Sequence, residues 1–217
     1  MSFLEIQEFN LNNMMIMNQS VGNLFIIGQN DWKKFKLVKK LITIIDEQIE
    51  DVNKMIFVSS NKHNIYNRIV PTECLCDTID NDSLDQVTTL CHAPNAKPIL
   101  LVIDCDVHNI ASIQQKLSEI IMSSRHLKLS LILTCDRTIS MSPEIRSNFD
   151  YVFALSNCCT ENQTRQLEYL YNNYFGVFPT FTSFKDVLFQ IDEANCLIYS
   201  AREHHRDNLI KISNINE

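Results

Sequence analysis

Glycine is scarce in this 217-residue chain, which contains only Gly22, Gly28 and Gly176. Proteins usually contain about 7% glycine. Because glycine has no Cβ, it lets successive backbone N–H groups converge on phosphate oxygens. Three isolated glycines cannot build a glycine-rich phosphate loop, and they allow few turns with a positive φ.

Long apolar runs and cysteine motifs are also missing. No apolar run approaches the roughly 20 residues of a membrane-spanning helix, and the N-terminus lacks the apolar core of a signal peptide. The eight cysteines form no C-x-x-C pair and predict reduced thiols in a cytosol-like compartment. The spacings of Cys74, Cys76, Cys91 and His92 fit no common structural zinc pattern, and no hydrolase triad is indicated.

The charge balance bears on nucleic-acid binding. The net charge is −7, which argues against a free-standing nucleic-acid binder because such proteins are usually basic. A local basic strip nevertheless exists, formed by Lys33, Lys34, Lys36, Lys39 and Lys40. It has two interpretations: a solvated helix face, or a contact strip for DNA or phosphate. With 45% hydrophobic residues, the chain can form one folded domain over 1–217.

Apolar runs alternate with helix-periodic segments along the chain. The strongest run, Pro98–Asp104, is apolar on both faces, as strands of a parallel sheet covered by helices are. We therefore predict an α/β fold with a mostly parallel central sheet and helices on both faces. The predicted interior strands are 24–27, 55–58, 99–103, 129–134 and 151–155, with an edge strand within 3–9 and a last strand at 196–199. The predicted helices begin near Trp32 and at Ser83, pass through 110–121, and span 160–175 and 181–190.

The first predicted strand, turn and helix have the arrangement of a phosphate-binding P-loop, G-x-x-x-x-G-K-[ST]. Counting from Gly28, the second glycine position is Lys33, the lysine is Lys34 and the hydroxyl position is Phe35. Asp31 would repel phosphate, and Phe35 cannot ligate Mg²⁺. We predict that 28–35 form no phosphate nest, that Trp32 or Phe35 packs over the phosphate space, and that Phe35 begins a helix.

Three later residues are candidates for the remaining chemistry of an ATPase. Asp104 ends a buried strand, where an acid would order the water shell of Mg²⁺; alternatively, it caps the turn. Asp136 follows the 129–134 strand, where a polar residue would sense the γ-phosphate, but its carboxylate would repel that phosphate. Arg146 could reach a neighbouring subunit as an arginine finger, or form an ordinary surface salt bridge.

Several segments together resemble the genome-packaging ATPases of nucleocytoplasmic large DNA viruses, including poxviruses, in the FtsK–HerA branch of P-loop ATPases. The most specific are 124–136, SRHLKLSLILTCD, and 142–153, SPEIRSNFDYVF. The resemblance also includes 54–60, 99–104 and 173–179, and extends from about Phe9 to Ile198. It implies a RecA-like P-loop NTPase fold.

The departures from the family pattern fall on its catalytic parts. The second Walker B acid is Cys105, the sensor glutamine is Asp136, and the basic residue after the 151–155 strand is Ser156. The resemblance implies a vestigial phosphate loop at Gly28 and Lys34. It also implies vestigial catalytic positions at Asp104, Asp136 and Arg146, with Asp104 as the Mg²⁺ position if the ion is bound.

Two functions follow from this resemblance. The favoured one is a catalytically inactive relative, without a resident cofactor, acting as a structural or partner subunit in virion assembly or DNA packaging. The alternative is an active packaging motor that uses ATP and Mg²⁺. A degraded site that still binds nucleotide without cleaving it lies between the two. The implied partners are viral assembly or capsid proteins, an active packaging ATPase, further copies of this chain, and double-stranded DNA. The implied location is the host cytoplasm, in a viral factory, or the virion.

The P-loop pattern also indicates which substitutions would restore a phosphate-binding loop in residues 28–35. Glycine at 31 and 33 with a hydroxyl at 35 is expected to give weak nucleotide binding without turnover, because Cys105 still supplies no second acid.

Overall fold

The structure, a computed structural model, describes residues 6–14, 16–59, 62–104, 107–156, 158–202 and 210–215. The strands in these ranges are β1 (Gln7–Glu8), β2 (Asn23–Ile27), β3 (Asn53–Val58), β4 (Leu75–Cys76), β5 (Ile99–Asp104), β6 (Leu129–Cys135), β7 (Tyr151–Leu155), β8 (Asn195–Ser200) and β9 (Ile210–Asn214). The α-helices are α1 (Asp31–Gln48), α2 (His63–Tyr66), α3 (Asn81–Cys91), α4 (Val107–Ser112), α5 (Gln114–Ser123), α6 (Pro143–Arg146), α7 (Thr164–Leu170) and α8 (Phe181–Gln190).

The described strands form one sheet in the order β1-β9-β8-β7-β2-β6-β5-β3-β4. β7, β2, β6, β5 and β3 are parallel neighbours, which confirms the five predicted interior strands and the mostly parallel α/β fold. β8 runs antiparallel to both β7 and β9. Asp104 pairs in register with Thr134, and Ile27 with Cys135. The carboxyl ends of β2, β5 and β6 therefore meet at one edge of the sheet.

Both faces of the sheet are covered by helices, as predicted. Along β5, Leu100 and Val102 face the hydrophobic cluster that contains α1, whereas Leu101 and Ile103 face the cluster that contains α3, α5, α7 and α8. This alternation follows from the two-residue period of a strand and explains why all of β5 is apolar before its final Asp104.

Several helix bounds differ from the prediction. α1 begins at Asp31, which agrees with the predicted start near Trp32 and not with a start at Phe35, because the Asn30 side chain accepts a hydrogen bond from the Lys33 N–H at 3.0 Å. α3 begins at Asn81, two residues before the predicted start at Ser83, because Oδ1 of its N-cap Asp80 accepts a hydrogen bond from the Ser83 backbone N–H at 2.8 Å.

The remaining differences between the predicted and the observed elements concern the bounds of two helices and of the edge strand. The predicted 110–121 helix is interrupted at Ile113, and the predicted 160–175 helix starts at Thr164 and ends in a π-helical turn, Tyr171–Phe175. The predicted 3–9 strand is observed as β1, and residues 1–5 lie outside the described ranges. In the part of the chain that the structure describes, no helix has the length and apolarity to cross a membrane. Within the same ranges, no three His, Cys, Asp or Glu side chains are grouped to hold a metal ion.

Candidate functional site

The carboxyl edge of the sheet brings four of the sequence-predicted residues together. Gly28 follows β2, Asp104 ends β5, Asp136 follows β6, and Lys34 lies in the first turn of α1. The Lys34 side chain is fully buried although it is charged. Its Nζ contacts Oδ1 of Asp136 and lies 3.1 Å from Oδ1 of Asp31. Among the described residues, the side-chain groups in contact with this ammonium are therefore two carboxylates, not the rings of Trp32 or Phe35.

Asp104 is held from three directions by the protein. It is 1% exposed. Its Oδ1 accepts hydrogen bonds from Nζ of Lys62 at 3.0 Å and from Oγ1 of Thr134 at 2.6 Å, and its Oδ2 accepts one from the Tyr66 hydroxyl at 2.8 Å. A buried carboxylate requires such compensation because its desolvation is costly.

Lys62 bridges Asp104 and Asp31, and Asp31 is one of the two carboxylates that contact Lys34. Nζ of Lys62 lies 3.0 Å from Oδ1 of Asp104 and 3.0 Å from Oδ1 of Asp31. We call Asp31, Lys34, Lys62, Asp104 and Asp136 the ion network. It contains three carboxylates and two ammonium groups, so one negative charge is left over. Lys62 and Tyr66 were not among the predicted site residues, because a lysine and a tyrosine after the second strand match no motif.

The ion network changes the titration of two of its members. Burial disfavours the charged form of Lys62, but the charge of Asp104 and hydrogen bonds to Asp31 and Asp104 outweigh it, so the pKa of Lys62 is raised. Partial burial opposes ionisation of Asp31 as well. The hydrogen bond from Lys62 and the charges of Lys34 and Lys62 outweigh it, and the pKa of Asp31 is lowered.

The residue at the hydroxyl position of a P-loop belongs to the hydrophobic core. Phe35 is buried, and its ring meets Tyr66 edge-on with centroids 5.3 Å apart. Trp32 contacts Phe35 at 5.4 Å but remains 49% exposed. Phe35 therefore supports the tyrosine whose hydroxyl bonds Asp104.

Gly28 has a packing explanation that does not involve phosphate. A Cβ at this position would lie 2.5 Å from Cδ1 of Leu155, on the neighbouring strand β7. The Gly28 N–H donates to the carbonyl of Cys135 at 3.0 Å, so this donor already has a partner. Close approach of two strands accounts for the retained glycine.

The described residues do not fit a triphosphate with Mg²⁺. Lys34 and Asp104, the two groups that would hold them, are buried and bonded to other side chains of the chain. At the start of α1, the N–H groups of Lys33 and Lys34 donate to the side chain and carbonyl of Asn30. Cys105, the second-acid position, lies outside the described residues.

Arg146 is not brought to the ion network. It lies at the end of α6, five residues before β7 begins, and Nη1 donates to the carbonyl of Met141 at 2.5 Å. Its guanidinium also lies 5.9 Å from the ring centroid of Tyr169. The following Asn148 contacts Asn23, the first residue of β2, so this turn lies towards the opposite edge of the sheet.

Two further motif residues of the resemblance, Arg125 and Asp150, have structural roles at that opposite edge. Asp150 is buried; its Oδ2 accepts from the Asn23 N–H at 2.8 Å, and its Oδ1 lies 2.8 Å from Nε of Arg202. Nη2 of Arg125 lies 3.5 Å from the same oxygen. These contacts join the starts of β2 and β7.

The basic strip is not one exposed surface. Lys34 is buried, Nζ of Lys40 donates to the Asn214 carbonyl, and Lys36 lies over Trp32. Nζ of Lys33 lies 3.4 Å from Oγ of Ser156. Ser156 is the residue that stands where the pattern of the packaging ATPases has a basic residue. Lys39 is the member of the strip whose side chain is exposed.

Solved structures with this fold are known. The genome packaging NTPase B204 of Sulfolobus turreted icosahedral virus 2, in complex with sulfate, matches with a TM-score of 0.64 at 16% identity, over 90% of this chain and 96% of that chain. The same NTPase in complex with ATP-gammaS matches with a TM-score of 0.62 at 16% identity, over 90% and 97%. The conjugation coupling protein TcpA of pCW3 with ATPgS matches with a TM-score of 0.56 at 10% identity, over 91% and 67%.

Relatives in sequence come from large DNA viruses. An uncharacterized protein of Acanthamoeba polyphaga mimivirus, L437, is 35% identical over 108 residues, which are 48% of this chain and 36% of that protein. The uncharacterized protein 088R of Invertebrate iridescent virus 3 is 26% identical over 86% of this chain and 72% of its own length. Protein 075L of Invertebrate iridescent virus 6 is 24% identical over 78% and 66%.

The mimivirus match spans about a third of that relative's length. No protein-family profile matches the chain. The chain has the P-loop NTPase fold of viral genome-packaging ATPases, and its relatives in sequence are proteins of nucleocytoplasmic large DNA viruses.

Proposed function

We propose that this chain is a non-hydrolysing relative of viral DNA-packaging ATPases that acts as a structural or partner subunit in virion assembly or DNA packaging. The observation that carries the proposal is the ion network. Lys34 and Asp104, the two groups that survive from the phosphate and metal sites, are both bonded to side chains of this chain.

Electrostatics supports this assignment. A bound triphosphate would bring several negative charges beside Asp31 and Asp136, and the ion network already has more carboxylates than ammonium groups. Lys34 could contact phosphate only by giving up its carboxylate partners. Phosphoryl transfer also needs donors placed in advance around the transferred group, and here the N–H groups of Lys33 and Lys34 already donate to Asn30.

The second candidate is an active packaging motor with an atypical phosphate loop. It is favoured by the position of Lys34 and Asp104 at the same sheet edge and by the related structures in complex with ATP-gammaS. Lys34 would then bind phosphate, Asp104 would hold Mg²⁺ and Arg146 would act across a subunit interface. This role requires that the ion network open.

The remaining parts of the proposal concern context. We propose that residues 1–217 form one domain, and that viral assembly or capsid proteins, an active packaging ATPase, further copies of the chain or double-stranded DNA are its partners. The expected location is the viral factory in the host cytoplasm or the virion.

Calorimetry and phosphate release test the two candidates. Wild-type protein is titrated with ATP-gammaS with and without Mg²⁺, and phosphate release from ATP is followed in parallel. We expect neither binding heat nor release above the buffer rate. The matched variants are Lys34→Ala and Lys39→Ala, since Lys39 is the exposed lysine of the same helix. Hydrolysis that Lys34→Ala abolishes and Lys39→Ala leaves intact would establish the motor instead.

A further inference from the structure

We propose that the Lys62 ammonium is a built-in cation that replaces a divalent metal ion between Asp31 and Asp104, and that removing Lys62 creates a divalent-cation site on these two carboxylates. The inference deepens the proposed function, on which it rests, because it names the group that keeps Mg²⁺ from Asp104.

The geometry around Lys62 is that of a shared centre. Oδ1 of Asp31 and Oδ1 of Asp104 each lie 3.0 Å from one nitrogen atom. Divalent cations take carboxylate oxygens from the same kind of position at shorter distances, about 2.1 Å for Mg²⁺ and 2.3–2.6 Å for Ca²⁺. Small inward movements of two side chains would therefore convert the ammonium site into a metal site, with water filling the other positions.

The groups around Asp104 explain why the Lys62 ammonium stabilises this carboxylate. Of the described groups that hydrogen-bond Asp104, Thr134 and Tyr66 are neutral hydroxyls and Lys62 is the cation. Without Lys62, the described groups that hydrogen-bond the nearly fully buried Asp104 would be neutral hydroxyls, and none of them would compensate a negative charge there. A divalent ion can restore that compensation, whereas in the wild type it must first displace the ammonium.

The segment that follows β3, from Lys62 to Tyr66, positions the ammonium beside Asp104. Lys62 directly precedes α2, and its backbone N–H donates to the Ser59 carbonyl at 2.8 Å. Tyr66, at the end of the same helix, gives its hydroxyl to the other oxygen of Asp104. One helical turn thus supplies both the ammonium and a hydroxyl to a single buried carboxylate.

Binding of Mn²⁺ alone to the full chain tests the inference. Free Mn²⁺ is measured by electron paramagnetic resonance for the wild type, Lys62→Ala and Lys62→Arg, and melting temperatures are recorded with and without Mn²⁺. We expect Lys62→Ala to bind one Mn²⁺ at least about 10-fold more tightly than the wild type and Lys62→Arg, which keeps a cation. Its melting temperature should fall without Mn²⁺ and recover with it. The double variant Lys62→Ala with Asp104→Asn should lose the gained site.

The outcomes separate this inference from the proposed function. ATP hydrolysis by the wild type would refute the proposed function. A folded Lys62→Ala protein without Mn²⁺ binding, or a wild type with Asp104-dependent Mn²⁺ binding of equal strength, would refute the inference. If Lys62→Ala does not fold, Lys62→Gln is used, because its amide preserves hydrogen bonding without charge. Failure of both variants to fold in the presence of Mn²⁺ would also refute it, since the ion is expected to replace the ammonium.

Discussion

Replacing Phe35 by Ser, which restores a hydroxyl at the P-loop position, is expected to destabilise the protein strongly. The ring is 5% exposed and packs against Tyr66 and Trp32 at centroid distances of 5.3 and 5.4 Å. Truncation of a buried Phe costs about 3–5 kcal/mol, out of a total free energy of unfolding of about 5–15 kcal/mol. For a chain of this length, the melting temperature should fall by about 6–20 °C.

Urea and thermal unfolding followed by circular dichroism measure this loss. The matched control is Trp32→Ser, an aromatic truncation three residues earlier in the same helix. Because Trp32 is about half exposed, its truncation should cost about 1 kcal/mol. A Phe35→Ser protein that melts within about 2 °C of the wild type, or no lower than Trp32→Ser, would refute the packing argument.

The complete loop repair combines this loss with two others. Asp31→Gly removes a carboxylate that contacts both Lys34 and Lys62, and glycine at 31 or 33 inside α1 costs about 1 kcal/mol each. The repaired loop gains room and donors for phosphate but loses a large share of the fold's stability. We expect any nucleotide binding of the triple variant, measured by calorimetry, to appear only at temperatures below its reduced melting transition.

Three further predictions concern the ion network and the strand beside it. Asp104→Asn should cost about 3 kcal/mol in urea unfolding, because it breaks a buried ion pair with Lys62; an unchanged or raised stability would indicate a strained catalytic acid instead. Gly28→Ala should lower the melting temperature of the wild type, and should lower it less in a Leu155→Ala background, where the clashing methyl group is absent; equal losses in both backgrounds would contradict the packing explanation. Because the folded-state pKa of Lys62 is raised, its contribution to the free energy of unfolding is complete below the unfolded-state pKa near 10.5 and is lost as the pH rises through the folded-state pKa. Because the folded-state pKa of Asp31 is lowered, its contribution is complete above the unfolded-state pKa of about 3.8 and is lost as the pH falls through the folded-state pKa. Unfolding free energies measured across pH should show both losses, and Lys62→Met should abolish the alkaline one.

The sequence by itself determined the architecture of the sheet. A strand such as β5, buried on both faces, has to be a continuous apolar run, and such runs alternate with helix-periodic segments along the chain. The five interior strands and the helices on both faces were therefore predictable. Helix starts were less so, because a cap depends on which nearby side chain reaches the free N–H groups, as Asn30 and Asp80 do.

The sequence also indicated which catalytic groups are missing, because a P-loop needs particular residues at fixed spacing. It could not determine what Lys34 and Asp104 do in place of that chemistry. Their partners come from other strands and helices: Lys62 is 42 residues from Asp104, and Asp136 is 102 residues from Lys34. Only the parallel register of β2, β6, β5 and β3 brings these side chains to one edge, where the buried Lys34 and Asp104 each contact a group of opposite charge.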